Sequence, residues 1–200
     1  MGDIYSARVR DLWETDVLVI GSGSAGASAA LAAAQAGARV TLIERYGFMG
    51  GISTQVLDTF YGFFTPGSVA KKVVGGVPDQ VVDALKMQSK AIYRPNTYGA
   101  GMGITYDPET LKIVWETLAL GAGVRLLYHT FVVDVVCDGD RITGVIAATK
   151  SGFVRIRAHV VIDASGDADV AAAAGAPFED AKSGAVQSLT TTFQLINVDM

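Results

Sequence analysis

The 200-residue sequence is poor in cysteine and in net charge, and each shortage excludes a class of function. Cys137 is the only cysteine, so no internal disulfide can form. An iron–sulfur cluster needs about four cysteine ligands, so the chain cannot hold one by itself. Low cysteine use favours a cytoplasmic location. The formal net charge of −4 leaves no basic footprint, and we therefore expect no nucleic acid partner.

Residues 17–38 form an uncharged run long enough to cross a bilayer, but its composition argues against a membrane span. Glycines and serines interrupt the run, and its second half is mostly alanine, which is far less lipid-soluble than leucine or isoleucine. The N-terminus has no apolar segment of the kind found in secretory signal peptides. Gly2 and Ser6 match a myristoylation pattern that is short enough to recur by chance. We therefore expect no membrane association.

The same region contains an ordered strand–turn–helix–strand pattern. Residues 17–20 are an unbroken apolar run, which is typical of a parallel strand covered on both faces. They lead into GSGSAG at 21–26, a G-x-G-x-x-G. An alanine-rich helix over 27–36, closed by a glycine, and a second strand over 39–43 follow. The order of these parts favours a ligand site over an ordinary glycine-rich turn.

Each part of the pattern has a physical reason. Gly21 permits the tight turn, Gly23 lets a pyrophosphate approach the backbone, and Gly26 lets the helix pack close to the strand. The free N–H groups and the positive end of the helix dipole hold the phosphate charge. Glu44, at the tip of the second strand, can accept hydrogen bonds from a ribose diol. The pattern predicts an adenine dinucleotide site without separating FAD from NAD.

The middle of the chain gives weaker signals. Gly50 and Gly51 follow the acid closely and suggest a second place where backbone meets ligand, the alternative being a flexible loop. Residues 60–102 are mostly aromatic- and glycine-rich loop. One helix is predicted over 78–90, because proline and an acid open it. The aromatic side chains could line a substrate cavity, although aromatic residues more often serve packing.

The second half alternates helix and strand signals. A helix N-capped by Asp107 leads to a strand over 124–128. Three β-rich runs separated by glycine-containing turns predict a meander over 131–137, 141–149 and 153–158. A short buried strand over 160–162 precedes an acidic loop and an alanine-rich segment ending at Gly175. Residues 187–198 alternate enough to form a further strand.

Together these pieces resemble the FAD-dependent oxidoreductases of the glutathione-reductase-like class, and most of all the family related to the flavin subunit of heterodisulfide reductase. GSGSAG with Glu44 resembles the nucleotide fingerprint, and MGGIST at 49–54 resembles a Gly-Gly-x-x-Thr signature. The meander and the segment 161–179 also match in position. The resemblance implies an α/β, Rossmann-like FAD-binding domain with a parallel sheet and an inserted antiparallel β-meander. It favours FAD over NAD.

The resemblance also implies a set of cofactor contacts. They are Gly21, Ser22, Gly23, Ala25 and Gly26 at the pyrophosphate; Glu44 and Arg45 at the adenosine ribose; Gly50, Gly51 and Thr54 along the pyrophosphate and ribityl chain; Val132 or Val133 at the adenine; and Ala164, Ser165, Gly166 and Asp167 closing over the cofactor. For Asp167 a helix N-cap is the alternative role.

The implied domains are an N-terminal extension at 1–15, an FAD-binding domain at 16–180 with an irregular or helical insertion at 52–106 and the β-meander at 130–158, and the start of an incomplete substrate or cap domain at 181–200. Disulfide reductases of the wider class carry a C-x-x-x-x-C pair after the Gly-Gly loop. Residues 52–56 contain no cysteine, which excludes a dithiol relay there. We expect a truncated chain, with a small-molecule substrate and either a remaining C-terminal domain or a redox partner.

Few residues are candidates for catalysis. His129 and His159 are the only histidines, and we expect structural roles because neither falls near a predicted flavin-ring position. No metal-ligand set is evident. The leading hypothesis is an FAD-dependent oxidoreductase that transfers a hydride or electrons, with its substrate and catalytic residues unknown. The alternatives are an NAD(P)-dependent dehydrogenase and a non-catalytic flavin-binding electron-transfer subunit.

Overall fold

The computed structural model describes residues 9–56, 59–66, 69–94 and 102–179, and residues 189, 191–193 and 197. These ranges contain nine strands and five helices. In chain order they are β1 Arg10–Ile20, α1 Ser24–Gln35, β2 Val40–Ile43, α2 Ile52–Gln55, β3 Phe60–Tyr61, α3 Val77–Met87, β4 Ala91–Arg94, β5 Gly103–Tyr106, α4 Pro108–Gly121, β6 Arg125–Leu127, β7 Phe131–Asp138, β8 Arg141–Thr149, β9 Gly152–Asp163 and α5 Asp169–Ala173.

Six strands form the main sheet in the order β6-β2-β1-β9-β8-β7. The first four are parallel, and their register aligns Val17 with Val40 and Ile20 with Asp163. β7, β8 and β9 form the antiparallel meander. The prediction of a parallel sheet with an antiparallel β-meander is confirmed, and one sheet contains both because β9 belongs to each. The carboxyl ends of β1, β2 and β9 meet at one edge, where ligands bind in open α/β sheets.

β9 is one continuous strand, whereas the sequence predicted two strands, over 153–158 and 160–162. The predicted break falls at His159, whose exposed ring lies beside Glu14, with Nε2 3.1 Å from Oε1. The polar residue marks the surface of the strand and not its end. The second run is also less buried than predicted, since its first residue, Val160, is 52% exposed.

β1 begins at Arg10, within the segment predicted as an N-terminal extension. Its outer half is rich in charged residues and pairs with the first half of β9. There the Arg155 Nη2 donates to Asp11 Oδ2 at 2.9 Å. Because its outer half is charged, this part of β1 lacks the apolar run by which a strand is recognised in a sequence.

The region 60–102, predicted mostly as loop, contains part of a second sheet of three antiparallel strands in the order β3-β5-β4. Phe60 pairs with Thr105, and Ala91 pairs with Tyr106. The strands have only two to four residues, which is too short for an alternating pattern to be recognised.

The predicted helix starts are confirmed. The Asp79 Oδ2 accepts a hydrogen bond from the Gly76 N–H at 3.1 Å at the start of α3. At the start of α4, the Asp107 Oδ1 accepts from the Thr110 N–H at 2.7 Å. Each carboxylate accepts a hydrogen bond from a backbone N–H at the start of its helix, where no carbonyl of the helix is available.

Two apolar clusters cover the two faces of the main sheet. Val19 packs with α1, α3 and α4 through residues such as Leu31 and Trp115. Leu18 and Ile20 pack on the other face with Val145, Ile156 and Val170. Successive strand residues point to opposite faces, so the unbroken apolar run of β1 serves both clusters.

No helix in the described ranges is long and apolar enough to cross a bilayer, and the longest, α4, has 14 residues. The strand predicted over 187–198, and the substrate or cap domain predicted to start at 181, lie mostly outside the described residues. Residues 189, 191–193 and 197 are described there, and none of them is in a strand.

Candidate functional site

A cavity of about 710 Å³ opens at the carboxyl edge of β1, β2 and β9, a size typical of small-ligand pockets. Its walls come from the turn after β1, the residues after β2, the start of α2, the start of β7 and the loop after β9. Twelve of the fifteen predicted contacts line it, namely Gly21, Ser22, Gly23, Ala25, Glu44, Arg45, Gly51, Val132, Ala164, Ser165, Gly166 and Asp167. The structure thus brings five separate segments to one cavity.

Two glycines of the first turn are required by packing. Gly21 has φ +90°, and a Cβ there would lie 2.3 Å from the Ala164 carbonyl oxygen. A Cβ on Gly26 would lie 1.9 Å from the Gly21 carbonyl oxygen. Gly26 is not among the residues lining the cavity. It lets α1 approach β1 and so places the N-terminus of α1 at the cavity.

Gly23 differs, because a Cβ there would meet only the Gly51 Cα, at 4.0 Å. Gly23 is the N-cap of α1 and provides no side-chain hydrogen bond to the first turn. The first N–H groups of this 12-residue helix, with the positive end of its dipole, are therefore available to an anion. The two turns pack closely here, since a Cβ on Gly51 would lie 2.8 Å from the Gly23 Cα. The missing side chain of Gly23 lets a pyrophosphate approach the backbone.

Glu44 is held rigidly at the tip of β2. It is only 5% exposed. Its Oε2 accepts from the Ser22 N–H at 2.9 Å and the Ser22 hydroxyl at 2.6 Å, and its Oε1 accepts from the Tyr46 N–H at 2.9 Å. A carboxylate accepts about four hydrogen bonds, so one position remains for a ligand hydroxyl.

Gly50 and Thr54, predicted as direct contacts, are not among the lining residues, and they support the wall. The Gly50 N–H donates to the Ser22 carbonyl oxygen at 2.8 Å. The Thr54 hydroxyl is buried and donates to the Met49 carbonyl oxygen at 2.7 Å. These bonds fix the Gly-Gly turn against the glycine-rich turn.

Asp163 organises the loop that closes the other side of the cavity. Its Oδ1 accepts from the Ser165 N–H at 3.0 Å and hydroxyl at 2.6 Å. Its Oδ2 accepts from the N–H groups of Val170 at 3.0 Å and Ala171 at 2.9 Å. Burial raises the pKa of Asp163, but these hydrogen bonds lower it more, so that it lies below its ordinary value.

Asp167 is not a helix N-cap, which was the alternative to a ligand role. The N-cap of α5 is Ala168, at φ +59° and without a side-chain hydrogen bond. Asp163 instead accepts from the N–H groups of α5. Asp167 is exposed and lines the cavity.

Ten residues that line the cavity were not predicted from the sequence, and they are Ile20, Ser24, Ile43, Tyr46, Ile52, Gln55, Thr130, Phe131, Asp169 and Val170. The Arg45 guanidinium carbon lies 4.9 Å from the centre of the Tyr46 ring. Phe131, at the start of β7, is 54% exposed. Each of the ten lies within three residues of a predicted contact, so nearness in sequence was the available signal.

Neither histidine lines the cavity. The backbone N–H of His129 donates to the Tyr46 carbonyl oxygen at 3.1 Å, and the His159 ring lies at the surface beside Glu14. Within the described ranges, no group of three or more His, Cys, Asp or Glu side chains is placed to hold a metal ion.

Curated relatives share this region. The thiamine thiazole synthase of Aeropyrum pernix is 30% identical over 174 residues, which cover 81% of this chain and 58% of that protein. The digeranylgeranylglycerophospholipid reductase 2 of Methanopyrus kandleri is 30% identical over 167 residues, covering 76% of this chain and 38% of that protein. The chain therefore spans less than two thirds of the length of either relative.

The crystal structure of a geranylgeranyl bacteriochlorophyll reductase-like protein from Thermoplasma acidophilum shares the fold. Its TM-score is 0.56 at 18% identity, over 81% of this chain and 42% of that one.

Residues 16–200 match the family described as FAD dependent oxidoreductase. The match supports FAD as the cofactor. It argues against an NAD(P)-dependent dehydrogenase, the alternative that the glycine fingerprint alone left open. The narrower resemblance to the heterodisulfide reductase flavin subunit stays a prediction. The chain belongs to the FAD dependent oxidoreductase family.

Proposed function

We propose that the protein containing these residues is an FAD-dependent oxidoreductase whose cavity holds the ADP part of FAD. The observation that carries the proposal is that the open N-terminus of α1 and the buried Glu44 carboxylate line the same cavity. An anion-binding helix end beside a hydroxyl-binding acid matches the order of groups in an adenine dinucleotide.

In this arrangement the first N–H groups of α1 bind the pyrophosphate beside the backbone of Gly23, against which Gly51 packs. Glu44 accepts a hydrogen bond from the adenosine ribose at its remaining acceptor position. Its buried negative charge disfavours a ribose that carries a 2′-phosphate. Arg45 lies alongside the ribose.

The adenine end of the cofactor lies against the start of β7, where Val132 lines the cavity with Thr130 and Phe131. The loop over Ala164–Asp167 closes over the cofactor from the side of β9. Asp163 keeps this loop in shape through its four hydrogen bonds.

When bound, FAD supplies hydride or electron transfer. The residues of this chain bind and orient the cofactor, and none is assigned as a catalytic acid or base. We propose a small-molecule substrate and a cytoplasmic location, the latter resting on the single cysteine. The relatives named above are a synthase and a reductase, which supports catalysis over a non-catalytic electron-transfer role without selecting a reaction.

Gly23→Ala tests the proposal directly. A Cβ at Gly23 meets protein atoms only at 4.0 Å, so the fold tolerates it, but the methyl group takes the space of the pyrophosphate. Overpacking costs about 1–3 kcal/mol, so we expect the Kd for FAD to rise about 5- to 150-fold. Flavin fluorescence titration measures the Kd, and circular dichroism confirms the fold.

Gly121→Ala is the matched control, because a Cβ there meets no atom within 4 Å and the position is at the end of α4. It should leave the FAD affinity unchanged. Equal FAD affinity in Gly23→Ala and the wild type would contradict the proposed pyrophosphate site.

A further inference from the structure

Five polar side chains come together behind the two glycine turns, and we call them the Tyr61 cluster. They are Ser24 of α1, Ser53 of α2, Tyr61 of β3, Tyr106 of β5 and Trp115 of α4. The Ser24 and Ser53 hydroxyl oxygens are 3.4 Å apart. Trp115 is 3% exposed, Tyr106 4% and Ser53 9%. The cluster therefore joins five elements, with its inner members buried and Ser24 exposed at the cavity.

Two atoms of the cluster are buried without a protein hydrogen-bond partner among the described residues. They are the Tyr61 Oη and the Trp115 Nε1. The indole N–H can only donate, while the phenol hydroxyl can donate and accept. Buried polar groups in native proteins nearly always find a partner, in the protein or in ordered water.

The other members surround the Tyr61 hydroxyl without satisfying it. Burial raises the pKa of Tyr61, and the neighbouring polar groups of Ser53, Trp115, Ser24 and Tyr106 oppose that rise. These groups are thus close to the hydroxyl, yet none forms a hydrogen bond of good geometry with its Oη. Two buried atoms without a partner, the Tyr61 Oη and the Trp115 Nε1, beside a pair of serine hydroxyls form an environment that suits a bridging group.

We propose that the Tyr61 cluster binds one water molecule, which accepts a hydrogen bond from the Trp115 Nε1–H and bridges the Tyr61 hydroxyl to the serine pair. Buried waters typically make about three hydrogen bonds to otherwise unsatisfied buried groups. Only Ser24 of the cluster lines the cavity, and Ser53, Tyr106 and Trp115 are buried, so the proposed water lies behind the cavity wall.

The water also has a positioning role, which rests on the proposed function. Ser24 directly follows Gly23, and Ser53 lies two residues after Gly51. The bridge therefore connects the two glycine turns next to the proposed pyrophosphate site. Tyr61 and Trp115 are positioning residues that act through the water, and they do not contact the cofactor.

The first test uses the two tryptophans of the chain, labelled with ¹⁵N in the indole ring. The Trp13 Nε1 donates to the Thr41 hydroxyl at 3.1 Å, so it is the internal control with a protein partner. We expect the Trp115 indole proton to show cross-relaxation with the sign of a long-lived water, and the Trp13 proton to lack it. A crystal structure should show a water oxygen within hydrogen-bond distance of the Trp115 Nε1. A dry site, or an indole N–H bonded directly to the Tyr61 Oη, overturns the proposal.

The second test separates positioning from general destabilisation. Tyr61→Phe removes one partner of the water, and the loss of one hydrogen bond should raise the Kd for ADP about two- to tenfold. The Kd for adenosine, which lacks the pyrophosphate, should stay unchanged. Tyr93→Phe is the matched control, because Tyr93 lies in the same small sheet and is 51% exposed.

If Tyr61→Phe weakens the binding of adenosine and of ADP equally, the positioning role is overturned. A wild-type chain that binds neither nucleotide contradicts the proposed function instead, and with it the positioning role. The NMR result still decides the water site in that case.

Discussion

Two carboxylates, Glu44 and Asp163, lie on either side of the end of β1 and are used differently. Asp163, the last residue of β9, accepts four hydrogen bonds from the loop and helix that follow it. Glu44, directly after β2, accepts three. Since a carboxylate accepts about four, Asp163 is saturated by its own loop, whereas Glu44 keeps one position for a ligand.

The difference suggests how to separate a structural acid from a binding acid in such a site. Both carboxylates follow a strand at the same edge of the sheet, so position alone does not distinguish them. The number of hydrogen bonds that each carboxylate accepts from the protein does distinguish them. Removal of Asp163 should therefore act first on stability, and removal of Glu44 first on FAD affinity.

The largest effect is expected for Asp163→Asn. The amide group cannot accept all four donors, and hydrogen bonds to a charged group are worth more than neutral ones, so the free energy of unfolding should fall by about 3 kcal/mol. Urea denaturation measures it. Asp167→Asn, in the same loop but exposed, is the control and should stay within about 0.5 kcal/mol of the wild type. Equal stability of the two variants would contradict the role given to Asp163.

Glu44→Gln should act mainly on the cofactor. It removes the charge and one oxygen acceptor, so the Kd for FAD should rise about 10- to 100-fold, as expected for loss of a charge-assisted hydrogen bond. Flavin fluorescence titration gives the value. Glu109→Gln makes the same change of charge at an exposed position on α4 and should leave the Kd unchanged. An unaltered Kd in Glu44→Gln means that the ribose lies elsewhere.

The stability of the chain should also depend on Asp163 in acid. Burial raises the pKa of Asp163, but its hydrogen bonds lower the pKa by more, so that it lies below its ordinary value in the folded chain. Its stabilisation is therefore present above the unfolded pKa and is lost as the pH falls through the lower folded pKa. The unfolding free energy of the wild type should decline more steeply in this window than that of Asp163→Asn. Parallel pH profiles would show that the folded pKa is not lowered.

The smallest effect is expected for Thr54→Val. The buried Thr54 hydroxyl donates to the Met49 carbonyl oxygen, so its loss should cost about 1 kcal/mol of stability and leave the Kd for FAD within about twofold. Thr117→Val, exposed on α4, is the control for stability. A large rise in the Kd for FAD with unchanged stability would instead support the direct contact between Thr54 and FAD that the family resemblance implies.

Much of the cavity was predictable because its determinants are local in sequence. Gly21, Gly23 and Gly26 have different steric environments, yet their spacing within one turn identifies all three. Glu44 follows the second strand of the same unit, so the order of the elements places it at the cavity. The fold class follows from the same local patterns of strand, helix and turn.

The remaining features depend on contacts between distant residues. Asp163 accepts from Val170 and Ala171 only because the intervening loop folds back, and a cluster of acids near a helix start does not specify which acid does so. β3 has two residues and gains its structure by pairing with β5. The polar His159 suggested a break in β9 that pairing with β1 overrides.

The most direct test of the cofactor site is the absorbance spectrum of the purified wild-type chain after incubation with FAD, followed by release and chromatography of the bound nucleotide. The proposed FAD site predicts flavin absorbance that persists through gel filtration, with FAD as the released nucleotide. A colourless protein that takes up no FAD, or the release of NAD(P), would contradict it.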